Sequence, residues 1–427
     1  MLFYRSQKHL NQSVSLFSRA RTSLGAATLS ALLVLASTEV RADHFSDHIR
    51  ISGFGSIALT RGGDENLGFR RNVSQEGEFD RWSFRPDSLL GVQLDADLND
   101  RLRGTLQLVG KDRPENGLEE SIEAAYLAYN IDPRWTLRVG RVGMDLLPMS
   151  EYQNIGFAYD WVRPPVDYYG LIPFSYIDGM DLRYTRPVGA GTLSAKLSAG
   201  STKNIYESFD QHNYFKLEPF YGVSLRYELN NLALMASYAR SEIQDFKNPN
   251  VDLLEDYLLS LPSFTGGSEV AERLRLDGIV TEYYSLGAEY RTGPWKATAE
   301  IAYLDSDGEL FLPFLGGYAG ISRRFDSVSL YGLVSQARTT KDAATLDAPL
   351  LPPPLGHYIQ RALNSVQSDQ KTLSLGARWD LRSNMALKMQ WDRTWVEEGE
   401  AFLWGRDTEQ TPKSALDTFT LSMDFVF

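Results

Sequence analysis

The chain has 427 residues, no cysteine and a formal net charge of −12. Nucleic-acid binding favours a basic protein face, so this acidic balance argues against a nucleic-acid partner. Because no disulfide can form, the stability of the fold must come from side-chain packing and backbone pairing.

The first 42 residues have the pattern of a secretory signal peptide. An apolar run at 24–36 is followed by a small-x-small pattern at 40–42 that suits signal-peptidase cleavage. The alternative, a membrane anchor, needs about 20 apolar residues, and this run is shorter. Cleavage after Ala42 would remove five basic residues and one acidic residue, so the net charge of −12 would become −16. The basic n-region comprises Arg5, Lys8, Arg19 and Arg21.

The rest of the chain, 43–427, reads as one domain of alternating strands. Period-two patterns bounded by turn residues predict sixteen of them. Most have 10–13 residues, enough to cross roughly 25 Å at a tilt near 45°. The predicted strands are 49–60, 86–97, 101–111, 119–130, 134–142, 177–187, 191–201, 217–228, 231–242, 280–291, 294–305, 317–325, 328–338, 370–381, 385–396 and 415–427.

The connections between these strands alternate short and long along the whole chain. A sandwich or a propeller has no reason to collect every long loop at one end, whereas an up-and-down barrel does. We therefore predict an all-β fold, a transmembrane antiparallel up-and-down β-barrel of about sixteen strands, with short periplasmic turns and long external loops. The long loops are 61–85, 112–118, 143–176, 202–216, 243–279, 306–316, 339–369 and 397–414.

Within the strands, apolar and polar residues alternate. Leu286 and Tyr290, for example, share one face of strand 280–291, and Glu289 lies on the other. In a barrel the apolar face contacts lipid and the polar face lines the lumen, which sixteen strands make wide enough for water. Aromatic residues at the strand ends fit the girdle found at membrane interfaces. The phase is ambiguous in three strands, 119–130, 317–325 and 328–338.

The closing strand alternates up to the last residue, with five apolar side chains on one face: Phe419, Leu421, Met423, Phe425 and Phe427. This ending resembles that of outer-membrane β-barrels, whose last strand ends in Phe. The resemblance implies that Phe425 and Phe427 are an assembly signal read by the barrel-assembly machinery. It also implies export through the periplasm to the cell outer membrane, with lipid and lipopolysaccharide as neighbours.

The third long loop, 143–176, is rich in aromatic, proline and acidic residues. A loop this apolar must pack against other parts of the protein. The layout of signal, sixteen strands, third loop and terminal Phe resembles the trimeric porins of Gram-negative bacteria. That resemblance implies a homotrimer that passes small hydrophilic solutes or ions, and a third loop folded into the lumen.

By the same resemblance, opposed charges across the pore would form a constriction that sorts solutes by charge. The constriction candidates on the loop are Asp145, Glu151, Asp160, Asp167 and Arg163, and the candidates on the opposing wall are Arg103, Arg138 and Arg183. The alternative is that the loop acids lie on the external lip and only help solubility.

Two other functions stay open. A barrel enzyme needs a His near a nucleophile or a metal, but the four His residues after the signal are scattered and no G-x-S-x-G occurs. We therefore expect no catalytic residue, no metal and no cofactor. A binding or adhesion barrel would act through its long loops, above all 243–279 and 339–369.

Overall fold

The computed structural model describes residues 48–115, 117–208, 211–346, 349–407 and 411–427. The predicted signal peptide, 1–42, lies outside these residues. Within them, none of the helices is long and apolar enough to cross a membrane.

Sixteen antiparallel strands in the described ranges form a closed barrel, which confirms the predicted fold. Each strand pairs with the next along the chain, and the last pairs with the first. The strands are β1 (Ile49–Gly62), β2 (Leu89–Asn99), β3 (Leu102–Lys111), β4 (Ile122–Asn130), β5 (Trp135–Gly143), β6 (Tyr176–Val188), β7 (Gly191–Ser208), β8 (Gln211–Glu228), β9 (Leu232–Lys247), β10 (Val280–Thr292), β11 (Trp295–Ser306), β12 (Phe314–Phe325), β13 (Val328–Thr339), β14 (Ser368–Arg382), β15 (Met385–Ala401) and β16 (Ser414–Val426).

The two ends of the barrel differ as predicted: the short turns lie at one end and the long loops at the other. We call these the short-turn end and the long-loop end. Short helices occur only in the long loops of the described chain: α1 (Leu118–Ser121), α2 (Val166–Tyr169), α3 (Pro249–Ser260), α4 (Gly267–Leu274) and α5 (Pro353–Asn364). A two-residue strand in the first loop, Leu67–Gly68, pairs with another in the last loop, Gly405–Arg406.

The main difference from the predicted elements is the hairpin of β7 and β8. The sequence predicts a long loop at 202–216, but the paired strands continue to Ser208 and restart at Gln211. An irregularity in the pairing between Gly200 and Thr202 shifts the phase of β7. Because a bulge of this kind interrupts strict alternation, the outer part of the hairpin does not continue the pattern of its inner part.

The faces of the strands follow the predicted alternation. Apolar side chains such as Leu286 and Met389 project outward and are exposed, whereas inward neighbours such as Ser285 and Gln390 are buried. Strand β13, whose phase was ambiguous, points Leu330 outward. The outer surface of the barrel is therefore apolar, and the inner wall is polar and charged.

The seam between β1 and β16 has an unusual outer surface. The rings of Phe425 and Phe427 lie 6.5 Å apart, nearly parallel, on the outside of the barrel. They cover Gly55 and Gly53 of β1, where an added Cβ would come within 2.6 Å and 2.2 Å of the respective ring carbons. The two glycines thus leave the space that the terminal aromatic rings occupy.

Candidate functional site

The third loop, 144–175, folds into the barrel and packs against the inner wall. The carbonyl oxygen of Leu146 accepts hydrogen bonds from the hydroxyls of Ser237 and Ser285, at 2.6 and 2.7 Å. These serines face inward on β9 and β10, three and four strands along the wall from β6, where the loop ends. The loop therefore runs inside the lumen to a distant part of the wall.

The middle of the third loop is attached to the wall formed by β1, β15 and β16. Lys388 donates hydrogen bonds from Nζ to the carbonyl oxygens of Gly156 and Trp161, each at 2.7 Å, and forms an ion pair with Asp424 at 2.8 Å. A Cβ at Gly156 would lie 2.6 Å from Ser56 Oγ and from a carboxylate oxygen of Asp424. The backbone at Gly156 can approach the wall this closely because it has no side chain.

Arg163 anchors the next part of the loop from a completely buried position. Its guanidinium forms two hydrogen bonds to the carboxylate of Asp87, both at 2.9 Å, and one to Asp392 at 2.7 Å. It also donates to the hydroxyl of Thr420. Burial alone would lower the pKa of Arg163, but its two carboxylate partners outweigh that effect and raise it. Arg163 is therefore a fixed positive charge inside the wall.

Two of the acidic candidates occupy the same side of the barrel. Asp160 pairs with Lys296 Nζ at 2.9 Å and accepts a hydrogen bond from Ser322 at 2.7 Å. Burial raises the pKa of Asp160, but the charge and hydrogen bond of Lys296 prevail, so the net shift is downward. Asp167 is fully buried, accepts hydrogen bonds from Ser335 and Gln370, and has a pKa that burial raises.

A further attachment, at Glu300, was not among the sequence-based candidates. The hydroxyls of Tyr169 and Tyr318 donate hydrogen bonds to the two carboxylate oxygens of Glu300, at 2.8 and 2.5 Å. Burial, followed by the charge of Glu300, raises the pKa of Tyr169. The inward position of Glu300 follows from the alternation of β11, but its partners on the loop could not be inferred from spacing.

These attachments divide the lumen into a filled side and an open side. On β15 and β16 the inward side chains of Lys388, Gln390, Asp392, Thr418, Thr420, Ser422 and Asp424 are all buried. On β2 to β6 several inward side chains remain partly exposed, among them Gln93, Gln107, Tyr126 and Arg183. The third loop therefore covers the wall of β2 to β6 less completely than that of β15 and β16, and we call this the open side.

A cluster of charges borders this open side. Glu151, whose side chain is 42% exposed, forms an ion pair with Arg183 and lies 3.7 Å from Arg138. Arg138 is held by Asp181 on the neighbouring strand through hydrogen bonds of 2.5–3.0 Å. The cluster thus brings an acid of the third loop to two arginines of the wall.

Asp145 and Arg103 differ in their relation to that cluster. Asp145 is linked to it through Lys196, whose Nζ lies 4.0 Å from carboxylate oxygens of both Asp145 and Glu151. Arg103 lies one residue into β3, at the short-turn end, where it pairs with Asp97 at 2.6 Å. The structure therefore places Glu151, Arg138, Arg183 and Asp145 together, and places Arg103 elsewhere.

Above the third loop, at the long-loop end, lies a polar vestibule of about 130 Å³. Its charged residues include Lys111, Arg113 and Glu123, and Glu123 forms ion pairs with the other two at 2.6 and 2.5 Å. The third loop contributes Gln153 and Asn154 to the floor of the vestibule. In the part of the chain that the structure describes, no group of three or more acidic or His side chains could hold a metal ion.

Comparisons with known proteins give the fold but no close relative. No protein-family model matches the chain, and no curated protein sequence matches it. Among solved structures, OmpF of Salmonella typhi in complex with daunomycin is 12% identical, with 89% of this chain and 97% of OmpF covered at a TM-score of 0.52. The anion-selective porin of Comamonas acidovorans is 13% identical, with 89% and 99% covered at 0.52.

A third structure with the same arrangement is the outer-membrane channel DcaP of Acinetobacter baumannii. It is 12% identical, and the alignment covers 90% of this chain and 99% of DcaP at a TM-score of 0.51. At this level of identity the likeness concerns the arrangement of the strands. The chain therefore has the fold of the outer-membrane porins, a closed antiparallel β-barrel of sixteen strands.

Proposed function

We propose that this protein is an outer-membrane porin, a passive channel for small hydrophilic solutes or ions. The carrying observation is the division of the lumen, with a third loop anchored on one side and a charged passage open on the other. The apolar outer surface supports placement of the barrel in lipid. In that orientation the short turns face the periplasm and the long loops face the outside.

The narrowest charged part of this passage would be the cluster of Glu151, Arg138 and Arg183. Because Glu151 is in contact with Arg183 and close to Arg138, the balance of these charges at the edge of the passage would select solutes by their charge. We infer that Glu151 and Arg183 are the selectivity residues. Arg163 and Asp167 are buried and inaccessible to a passing ion. We infer that their role is to hold the loop in place.

Planar bilayers provide the test. Folded protein should insert with stepwise increases in conductance, and the reversal potential across a salt gradient should report its ion preference. Glu151→Gln should shift that potential toward anions and Arg183→Gln should shift it toward cations. Asp167→Asn serves as the matched control, because it also neutralises a loop acid but one that is fully buried.

Two results would contradict the proposal. Folded protein without any current would favour a barrel that acts through its loops, as an adhesin or binding protein. A current whose reversal potential ignores both Glu151→Gln and Arg183→Gln would place the constriction elsewhere. The homotrimer and the assembly role of Phe425 and Phe427 remain predictions, which cross-linking in native membranes and deletion of Phe427 would test.

A further inference from the structure

The outer half of the lumen contains a second cavity, distinct in chemistry from the charged passage. It has a volume of about 80 Å³ and lies among the long-loop ends of β8 to β11, under the outer loops. Leu146 and residues 171–174 of the third loop form its inner boundary. The cavity is thus part of the mouth of the barrel, above the level of Glu151.

The lining of this cavity is predominantly apolar. Among the described residues that line it, none carries a charge, and eight are aromatic, including Phe174, Phe220 and Phe311. Leu217, Ile243 and Leu276 form a buried hydrophobic cluster in the same wall. An ion or a strongly polar solute would lose its hydration here without receiving charged partners in exchange.

Two of the polar residues in the wall, Ser241 and Thr281, are paired with each other, whereas the buried hydroxyl of Tyr283 has no hydrogen-bond partner among the described residues. The hydroxyls of Ser241 and Thr281 are hydrogen-bonded at 2.7 Å, and Thr281 also lies 3.3 Å from the carbonyl oxygen of Ser241. These hydroxyls are therefore already satisfied without a ligand. Recognition in this cavity would therefore rest mainly on shape and on contacts with aromatic and aliphatic groups.

The outer part of the β7–β8 hairpin lies against the cavity. The ring of Tyr206 contacts those of Phe215 and Phe402, with centroids 6.1 and 6.4 Å away. The hairpin is fixed by a hydrogen bond from the amide of Glu207 to the carbonyl oxygen of Val73 in the first loop, at 2.8 Å. Three loops from different parts of the chain therefore meet over one apolar space.

The cavity adjoins the polar vestibule. Residues 172–174 line both spaces, so a single segment of the third loop separates them. A solute that enters the vestibule from outside would need to displace only this segment to reach the apolar space. Phe174 has the largest side chain of this segment, so its rotation would open the most space between the vestibule and the cavity.

We propose that this cavity is a binding pocket for a small, uncharged aromatic molecule, about the size of a single ring. An apolar protein cavity of about 150 Å³ binds benzene, and a turn of Phe174 toward the vestibule would enlarge this smaller cavity of about 80 Å³ for a single ring. The proposal adds a class of solute that the hydrophilic passage does not serve. It depends on the proposed channel only for the route from outside.

Bromobenzene is the probe for the test, because its bromine can be located by anomalous diffraction. Crystals of the full chain soaked with it should show bromine in the pocket. Ala239→Leu fills the pocket from β9 and should lower the occupancy at least tenfold. Ala236→Leu is the matched control, since the pairing places Ala236 on the outer face of the same strand. If Ala239→Leu does not fold, Thr281→Leu fills the pocket from β10.

A solution measurement must accompany the crystals. Saturating bromobenzene should raise the melting temperature of the wild type and of Ala236→Leu, and leave that of Ala239→Leu unchanged. Bromine in the pocket without this shift would mean binding at crystal concentration only and would overturn the proposal. Absence of bromine, or equal occupancy in Ala239→Leu, would overturn it as well.

Conductance of the same preparations separates this proposal from the proposed function. Bromobenzene binding to a protein that passes no current would leave the pocket standing and refute the channel. A normal current without binding would refute the pocket and leave the channel standing.

Discussion

Arg163 and Asp87 form a bidentate ion pair in which both side chains are 2% exposed. Arg163 belongs to the third loop, and Asp87 lies at the end of the first loop, immediately before β2. The pair therefore ties the segment that narrows the lumen to the barrel wall, and Asp392 of β15 completes the site from the other side.

Loss of Arg163 should be among the most destabilising single changes in this barrel. Arg163→Met leaves the carboxylates of Asp87 and Asp392 buried without their cation, which typically costs about 3–5 kcal/mol. Urea unfolding in detergent micelles would measure the free energy of unfolding. Arg324→Met is the control, because Arg324 is 60% exposed and its partner Asp380 keeps a second ion pair with Arg378; exposed pairs contribute about 0–1 kcal/mol. A loss below about 1 kcal/mol for Arg163→Met would contradict this role.

The same pair should give the barrel a step in acid stability. Burial raises the pKa of Asp87, but the charge and hydrogen bonds of Arg163 prevail and lower it below its ordinary value of 3.8. A lowered pKa means that the carboxylate stabilises the fold at every pH above the ordinary value, and that this contribution is lost as the pH falls through the lowered pKa.

Melting temperatures of the wild type and of Asp87→Asn, measured from pH 7 to pH 2, would reveal this step. The difference between the two should be constant above about pH 5 and shrink below about pH 4. A difference that stays constant down to pH 2 would show that the charge of Asp87 does not stabilise the fold.

Asp167 should behave in the opposite way. Burial raises the pKa of Asp167 above its ordinary value of 3.8. The contribution of Asp167 to stability therefore falls as the pH rises from 3.8 through the raised pKa. At higher pH the ionised carboxylate destabilises the fold. Asp167→Asn can keep both contacts, because its Oδ1 can accept the hydrogen bond of Gln370 and its Nδ2 can donate one to the hydroxyl of Ser335. We expect a melting temperature at pH 8 equal to or up to about 4 °C above that of the wild type. A clear decrease would mean that the charge itself is needed.

The seam offers a test of the terminal aromatic residues. A side chain at Gly55 must displace the ring of Phe425, so Gly55→Val should lower the temperature at which the folded, fast-migrating form is lost on gels. Ile57→Val, on the same outer face, should have little effect. Combining Gly55→Val with Phe425→Leu should restore part of the loss, and equal melting of Gly55→Val and the wild type would argue against close packing at this seam.

Sequence reasoning gave the strands and their faces because both follow from local backbone geometry. Alternation places Leu286 outward and Glu300 inward whatever the rest of the chain does. The predicted strands of the β7–β8 hairpin were too short, because the irregular pairing after Gly200 interrupts the alternation of side chains. Position along a strand is also readable: Arg103 begins β3 and so belongs to the short-turn end.

The contacts of the third loop could not be read in this way. Arg163 and Asp392 are 229 positions apart in the chain, and only closure of the barrel brings them together. An acid on this loop could meet any of the surrounding strands, so spacing could not distinguish Glu151, at the open passage, from Asp167, inside the wall. The apolar pocket has the same origin, since its walls come from several strands and loops.

The division of the lumen separates two tasks that a channel must reconcile. The side chains that keep the third loop in place are Asp87 and residues on β9 to β16, whereas in the proposed channel a passing solute would meet those on β2 to β6. Substitutions at Gln93 or Gln107 would then alter what passes without loosening the loop. A barrel built in this way can acquire a new preference through a few changes on one wall, while its scaffold stays the same.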